Sequence, residues 1–123
     1  MLINFDNERP IYIQLSEAIE DNILKEIYKE DEQIMSTTEI SLNFKINPAT
    51  AGKGINILVD EGILYKKRGL GMFVSKGAKE TILQKRKNYF YKSYVLPLKE
   101  ESKKLGITYT EIIKMLERAD KDE

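Results

Sequence analysis

Two helix starts lie eleven residues apart in the stretch 36-STTEISLNFKINPATAGK-53. The first is a capping box, in which the hydroxyl of Ser36 accepts from the backbone N–H of Glu39 and the glutamate reaches back. The second is Asn47-Pro48, where the asparagine caps the helix and the proline takes its first position. The stretch therefore predicts a short helix to about Phe44, a tight link, and a second helix directly after it.

A β-hairpin is predicted after this second helix. Ala51, Ile55, Leu58 and Val59 form the buried stripe of the helix, and Gly62 stands where a left-handed C-terminal cap is expected. Two β-prone runs, 63–67 and 72–75, then flank a glycine-containing turn. Gly52 and Gly54 cost helix propensity, and close packing against a neighbouring helix is one explanation for them.

Upstream of this stretch, the sequence predicts one more helix, over about residues 10–29. Pro10 fits its first turn, and Ile11, Leu15, Ile19, Ile23 and Ile27 recur at helical spacing. The order helix, helix, helix, hairpin is that of a winged helix-turn-helix.

The remaining chain is predicted to be helical from about Lys79. Its broad apolar stripe is typical of an interface or a core, and Pro97 is expected to kink or break the helix. A second capping box, Thr108 to Glu111, starts a last short helix, and the tail from Asp120 is expected to fray.

Composition excludes several classes of function. The chain has 123 residues and no Cys, His or Trp, which excludes disulfides, Cys/His zinc sites, Ser-His-Asp triads and cysteine nucleophiles. We therefore expect no enzyme, metal or cofactor. The chain has no apolar run long enough to cross a membrane and no basic signal-peptide start, so a cytoplasmic location is expected.

The zero net charge hides a segregated distribution. Residues 1–32 carry 3 basic and 9 acidic side chains, whereas residues 63–79 carry 5 basic side chains and no acid. Because local charge governs encounter with a charged partner, the basic hairpin favours a nucleic acid.

The start of the second helix and the hairpin tip are the predicted DNA-contacting parts. A helix that enters the major groove presents its N-terminal residues to base edges, and an arginine at the tip of a hairpin suits the minor groove. The predicted contact residues are Ser36, Thr37, Thr38, Asn47, Ala49, Thr50, Lys53, Lys66, Lys67, Arg68 and Gly69. Two plainer interpretations stay open: Ser36 and Asn47 are helix caps, and 66–68 is an ordinary solvated hairpin.

Residues 10–74 resemble the winged-helix domain of the GntR family of bacterial transcription regulators. The motifs that carry the resemblance are PIYIQL at 10–15, the box at 36–39, NPATAGK at 47–53, EGIL at 61–64 and RGLGMFV at 68–74. The NPAT form, the YKKRG of 65–69 and the short tail are similar to the YtrA subfamily.

The resemblance implies a fold that is mostly α with a small β-hairpin. It comprises a winged helix-turn-helix DNA-binding domain at 1–76 and a short C-terminal helical dimerisation region at 77–123. It also implies a homodimeric repressor that binds a palindromic operator, in many cases that of its own operon, which in this subfamily commonly encodes an ABC transporter. The expected dimerisation residues are Ile82, Leu83, Tyr89, Phe90, Tyr94, Leu98, Ile112, Ile113 and Leu116.

One departure from the family pattern concerns the first motif helix. The family usually has Pro-Ser-x-Arg-Glu where this chain has Met35-Ser36-Thr37-Thr38-Glu39, so Thr38 replaces an arginine that commonly contacts DNA. The departure predicts a different operator or weaker binding.

Two alternatives remain at this point. A winged helix also serves as a protein–protein interaction module without DNA binding, and the acidic first helix suits a protein partner. A small-molecule effector is undecided, because no motif names a ligand, although Tyr89, Phe90, Tyr91 and Tyr94 line the region where a pocket would open.

Overall fold

The computed structural model describes residue 1 and residues 3–122, and two compact units divide the chain: Met1–Gln84 and Lys85–Glu123. The elements follow in the order α1 (Ile11–Leu24), α2 (Thr37–Phe44), α3 (Pro48–Asp60), β1 (Leu64–Lys67), β2 (Gly71–Val74), α4 (Ala78–Phe90), a π-helical segment (Tyr91–Val95), α5 (Leu96–Leu105) and α6 (Tyr109–Lys121). Three helices followed by an antiparallel hairpin confirm the predicted winged helix-turn-helix.

Both predicted helix starts of the motif are confirmed. The Ser36 hydroxyl accepts from the Glu39 N–H at 3.0 Å, while the Glu39 carboxylate accepts from the Ser36 N–H at 3.1 Å. Asn47 Oδ1 accepts from the Ala49 N–H at 2.7 Å, with Pro48 in the first position of α3. Lys45 joins the two helices in a left-handed conformation with φ 55°, which makes the link short.

Helices α1 and α3 pack closely at Gly54. A Cβ atom at this position would lie 2.8 Å from the Tyr12 carbonyl oxygen and 3.0 Å from the Leu15 side chain. The packing explanation therefore holds for Gly54. It does not hold for Gly52, where a Cβ atom would meet only an ordinary contact at 3.9 Å.

The predicted end of the first helix was wrong. Helix α1 stops at Leu24 rather than near residue 29, because the Asn22 carbonyl accepts from the N–H groups of both Ile27 and Tyr28. Glu26 takes a left-handed conformation with φ 60° within this turn. Ile27 consequently leaves the apolar stripe and is 58% exposed.

The hairpin pairs Leu64 with Val74 at its base and Lys67 with Gly71 near its tip. The segment before α2 adds an edge that the sequence did not predict, because Gln33 forms an isolated antiparallel bridge with Phe73. The Ile34 N–H donates to the Met72 carbonyl at 2.9 Å, which ties the start of the motif to the hairpin.

The core of the first unit extends beyond the expected boundary at residue 76. Ala78 and Ile82 at the start of α4 are fully buried in the same cluster as Leu15, Ile55 and Val74. The first turns of α4 therefore belong to the winged-helix core.

The second unit is helical. Pro97 was expected either to kink or to break its helix, and the helix is not broken there. The backbone passes from α4 through the π-helical segment into α5, and the Leu96 N–H donates to the Tyr91 carbonyl, five residues back. This wider turn precedes Pro97, which lacks an N–H and takes a position in the first turn of α5. Gly106 ends α5 in a left-handed conformation with φ 66°.

Helix α6 begins at the predicted second capping box, in which the Thr108 hydroxyl accepts from the Glu111 N–H at 3.2 Å. It continues to Lys121, so Asp120 is helical rather than frayed, while Glu123 lies outside the described residues. Within the part of the chain that is described, no helix is both long and apolar enough to cross a membrane.

Candidate nucleic-acid interface

The predicted contact residues of the two motif helices lie at the N-caps and in the first two helical turns. Thr38, Asn47, Ala49 and Lys53 are exposed, and Ser36, Thr37 and Thr50 are half-buried. The buried stripe of α3 is formed by Ala51, Ile55 and Leu58 on the opposite side. Helix α3 therefore presents small and polar side chains to solvent at its N-terminal end, where the helix dipole favours phosphate.

Ser36 and Asn47 serve as helix caps in this structure. Each accepts a backbone hydrogen bond of its own helix through its side-chain oxygen. Capping leaves the hydroxyl proton of Ser36 and the amide group of Asn47 as donors that can point outward. The capping role is therefore compatible with the predicted DNA contacts of the two residues.

Lys53 lies against an aromatic ring. Its ammonium nitrogen is 4.1 Å from the centroid of the Tyr12 ring, which comes from the first turn of α1. Tyr12 is half-buried and was absent from the predicted site, although it belongs to the quoted motif at 10–15. The sequence alone gave no signal that α1 and α3 bring these two side chains together.

The tip of the hairpin is the exposed loop Arg68-Gly69-Leu70, which we call the wing tip. The Leu70 N–H donates to the Lys67 carbonyl at 2.9 Å, and Gly69 adopts φ +78°, a conformation that favours glycine. Lys66, Lys67 and Arg68 are all exposed.

An aromatic pair supports one face of the hairpin. Tyr65 and Phe73 stack with ring centroids 5.8 Å apart, and the Lys67 ammonium lies 4.5 Å from the Phe73 centroid. The Tyr65 hydroxyl donates to Asp31 Oδ1 at 2.9 Å. This hydrogen bond raises the pKa of Tyr65 above its ordinary value of 10.0, because it stabilises the protonated hydroxyl. Tyr65 therefore stays a donor to Asp31 at neutral pH.

Gln33 is a second residue that sequence reasoning missed. Its amide Nε2 donates to the Leu70 carbonyl at the wing tip. A Cβ atom at Gly71, which has φ +124°, would lie 2.7 Å from the same amide nitrogen. Gln33 thus braces the wing tip from the segment that leads into α2.

The basic side chains of the interface have no acidic partner among the described residues. Within residues 1 and 3–122, none of the recorded ion pairs places a carboxylate on Lys53, Lys66, Lys67 or Arg68. Other cations do pair with acids, as Lys76 does with Asp31 at 4.0 Å. The surface formed by α3 and the hairpin is therefore locally basic in a chain of zero net charge.

The expected dimerisation residues divide between the two units. Ile82 is fully buried in the core of the first unit, so it is not available to a second copy and its expected dimerisation role is corrected. Leu83, also in the first unit, is 40% exposed. Those in the second unit leave their apolar surface open or half-open to solvent: Tyr89, Phe90, Tyr94, Leu98, Ile112, Ile113 and Leu116.

One solved structure matches almost the whole chain. It is the crystal structure of a protein described as a transcriptional regulator of the GntR family, from Bacteroides thetaiotaomicron. The identity is 34%, the TM-score is 0.78, and the match covers 91% of this chain and 97% of that one. The chain belongs to the GntR family. The family resemblance of the motifs is thereby confirmed, and the relatives found are transcriptional regulators rather than enzymes.

Two further relatives are informative, one about the subfamily of this chain and one about DNA as a ligand of the fold. The transcriptional repressor YtrA of Bacillus subtilis is 33% identical over 75 residues, which cover 61% of this chain and 58% of YtrA, and it supports the YtrA assignment. The DNA-binding domain of AraR, solved in complex with its operator ORX1, is 29% identical with a TM-score of 0.56. That match covers 61% of this chain and 96% of the AraR chain.

The extent of these matches differs between relatives. The chain spans only 30% and 35% of the length of two other curated B. subtilis relatives that it matches. No family model matches the chain.

Proposed function

We propose that this protein is a sequence-specific transcriptional repressor that binds a palindromic operator as a homodimer. Helix α3 would enter the major groove with Ala49, Thr50 and Lys53, and the wing tip would place Arg68 in the minor groove. Ser36, Thr37 and Thr38 at the start of α2 would face phosphates of the backbone.

The observation that carries the proposal is the unpaired basic surface next to a capped helix N-terminus. Lys53, Lys66, Lys67 and Arg68 are exposed, and none of the recorded ion pairs of the described residues neutralises them. An operator-bound relative with the same fold, AraR, supports DNA as the ligand of such a surface.

The homodimer is supported by the composition of the second unit. Among its described residues, none of the hydrophobic side chains is buried, and Tyr109 and Leu116 are 79% and 62% exposed. Tyr109, Ile112, Ile113 and Leu116 recur on one face of α6 at spacings of three and four. Because helices of this kind need an apolar partner, a second copy of the same unit is the occupant we propose.

We extend the proposal to the regulated genes. As the motifs similar to the YtrA subfamily imply, the protein would repress its own operon, and that operon would encode an ABC transporter. Such a repressor acts in the cytoplasm, on the chromosome. If a small-molecule effector binds, its site would be the aromatic cluster in which the Tyr94 ring centroid lies 6.4 Å from that of Tyr89 and 5.4 Å from that of Phe90.

Arg68→Ala tests the wing. Loss of this guanidinium should weaken binding to operator and to unrelated DNA alike, because a minor-groove or phosphate contact is largely independent of sequence. We expect the slope of log K against log salt to fall by about one for each protomer. Fluorescence anisotropy titrations at several salt concentrations measure both effects.

Arg118→Ala is the matched control for the wing, because it removes the same charge from an exposed position in α6. It should leave affinity and slope unchanged. Wild-type affinity and slope in Arg68→Ala would contradict the assignment of the wing.

Thr38→Arg tests the departure from the family pattern. The side chain at 38 is exposed in the first turn of α2, so an arginine there gains a phosphate or base without disturbing the core. We expect tighter binding to the operator and a salt slope steeper by about one per protomer. The control is Asn43→Arg, in the last turn of the same helix, which should raise the operator affinity and the salt slope less than Thr38→Arg does. An equal gain in both variants would argue against a specific contact at position 38.

A further inference from the structure

We propose that Tyr12 is a positioning residue for DNA binding, whose ring holds the Lys53 ammonium in place on the exposed side of α3. The inference rests on the proposed function, because it assigns a role to Lys53 at the DNA surface. The observation is the distance of 4.1 Å from Lys53 Nζ to the centroid of the Tyr12 ring. An ammonium over an aromatic face at this distance is attracted by the negative charge of the π system.

The close approach of two helices creates this contact. At Gly54 the absence of a side chain lets the backbone of α3 come against the Tyr12 carbonyl, where a Cβ atom would lie only 2.8 Å away. The Tyr12 ring then stands beside the residue that precedes this glycine, which is Lys53. The Tyr12 side chain is half-buried, so its ring is less free to move than an exposed side chain and offers a defined surface to the flexible Lys53 side chain.

A ring suits this task better than a carboxylate does. A lysine side chain is long and flexible, and immobilising it at a DNA surface costs conformational entropy. An acidic partner would fix the side chain but would also neutralise it towards phosphate. An aromatic face fixes the ammonium while its formal charge and its N–H donors remain available to DNA.

The hairpin shows the same arrangement independently. The Lys67 ammonium lies 4.5 Å from the Phe73 centroid and 5.9 Å from that of Tyr65. Two lysines of the proposed interface, one in α3 and one in β1, thus lie against aromatic rings. Among the described residues, neither lysine forms an ion pair with an acidic side chain.

A double-mutant cycle tests the inference with the full-length protein and its operator. Tyr12→Leu should weaken operator binding by about two- to five-fold per protomer, the range that an exposed cation–π contact supports. Tyr12→Phe keeps the ring and should bind as the wild type does. In the background of Lys53→Met, Tyr12→Leu should cause no further loss, because the cation that it positions is absent.

The controls separate positioning from a structural role and from the proposed function itself. Lys25→Met removes an equal charge about 20 Å along α1 from Tyr12 and should leave affinity unchanged. An equal loss from Tyr12→Leu with and without Lys53 would mean that the ring only supports the fold, and an equal loss in Tyr12→Phe would assign the effect to the hydroxyl. Either result overturns the inference. Failure of the wild type to bind DNA would instead overturn the proposed function.

A second measurement requires no change in the packing of α1. In the NMR spectrum of the free protein, the Lys53 Cε protons should lie upfield of those of Lys25, because they sit over the face of a ring. The Tyr12→Phe variant should keep this shift. Equal chemical shifts for the two lysines would overturn the inference even if Tyr12→Leu proved too unstable to study.

Discussion

Replacement of Ile113 and Leu116 together by glutamate should convert the protein into a monomer and lower its operator affinity by roughly 10²–10⁴-fold. Both side chains lie on the apolar face of α6, with 38% and 62% of their surface exposed in the single chain. Carboxylates there would have to be buried, without a partner, between two copies. The binding loss follows because each winged domain would then engage its half-site alone. Sedimentation velocity and an operator titration measure the two effects.

Lys114→Glu is the matched control for this variant. It changes charge on the same helix at a position outside the apolar face of Tyr109, Ile112, Ile113 and Leu116, so it should remain dimeric. A double glutamate variant that still sediments as a dimer would show that α6 is not part of the interface. A monomer with undiminished operator affinity would contradict the claim that the dimer is the binding unit.

Gly54→Ala should destabilise the winged-helix unit by about 1–3 kcal/mol, the usual cost of overpacking a core contact. The added Cβ atom would meet the Tyr12 carbonyl at 2.8 Å and the Leu15 side chain at 3.0 Å, so α1 and α3 must move apart. The gain in helix propensity from glycine to alanine, at most about 1 kcal/mol, offsets only part of this. Urea denaturation followed by circular dichroism measures the change.

Gly52→Ala provides the opposite expectation two residues away. Its Cβ atom would meet only Thr37 Cγ2 at 3.9 Å, so the helix propensity term should dominate and stabilise by about 0.5–1 kcal/mol. Two substitutions of the same kind in the same helix should thus have opposite signs. Equal effects of the two would mean that the close contact at Gly54 does not govern the packing of α1 on α3.

Helix starts were predictable from the sequence because their signals are local. A capping serine, threonine or asparagine and the residues two or three positions later form a complete hydrogen-bonded unit, so Ser36, Asn47 and Thr108 each marked a helix correctly. The hairpin was predictable for a similar reason, because β-prone runs flank a turn with glycine at φ +78°.

The end of α1 was not predictable because no glycine or proline marks it. The Asn22 carbonyl, which takes two N–H donors beyond the helix, ends it instead, and a glutamate occupies the left-handed position. Of the two outcomes expected at Pro97, a kink or a break, the structure excludes the break, since a π-helical turn allows the helical path to continue into α5. The end of α1 and the helical path at Pro97 both depend on which backbone carbonyl accepts from which N–H group. Residue type alone does not specify this pairing.

Contacts between distant segments were also beyond the sequence. Ile82 fits an apolar stripe whether it faces a second copy or its own core, and only packing assigns it to the core. The contact of Lys53 with Tyr12 joins residues on two helices, and that of Gln33 with Leu70 joins a loop to the wing tip. No periodicity encodes such pairs, although they shape the candidate site.

A DNase I footprint on the region upstream of the protein's own gene tests the central claim most directly. The account predicts protection of an inverted repeat by the wild type, with both halves protected over the same range of protein concentration. The double glutamate variant of α6 should lose this protection, and Arg68→Ala should need more protein to reach it. The absence of any protected site at concentrations that saturate the dimer would contradict the account and favour a winged helix that binds protein instead.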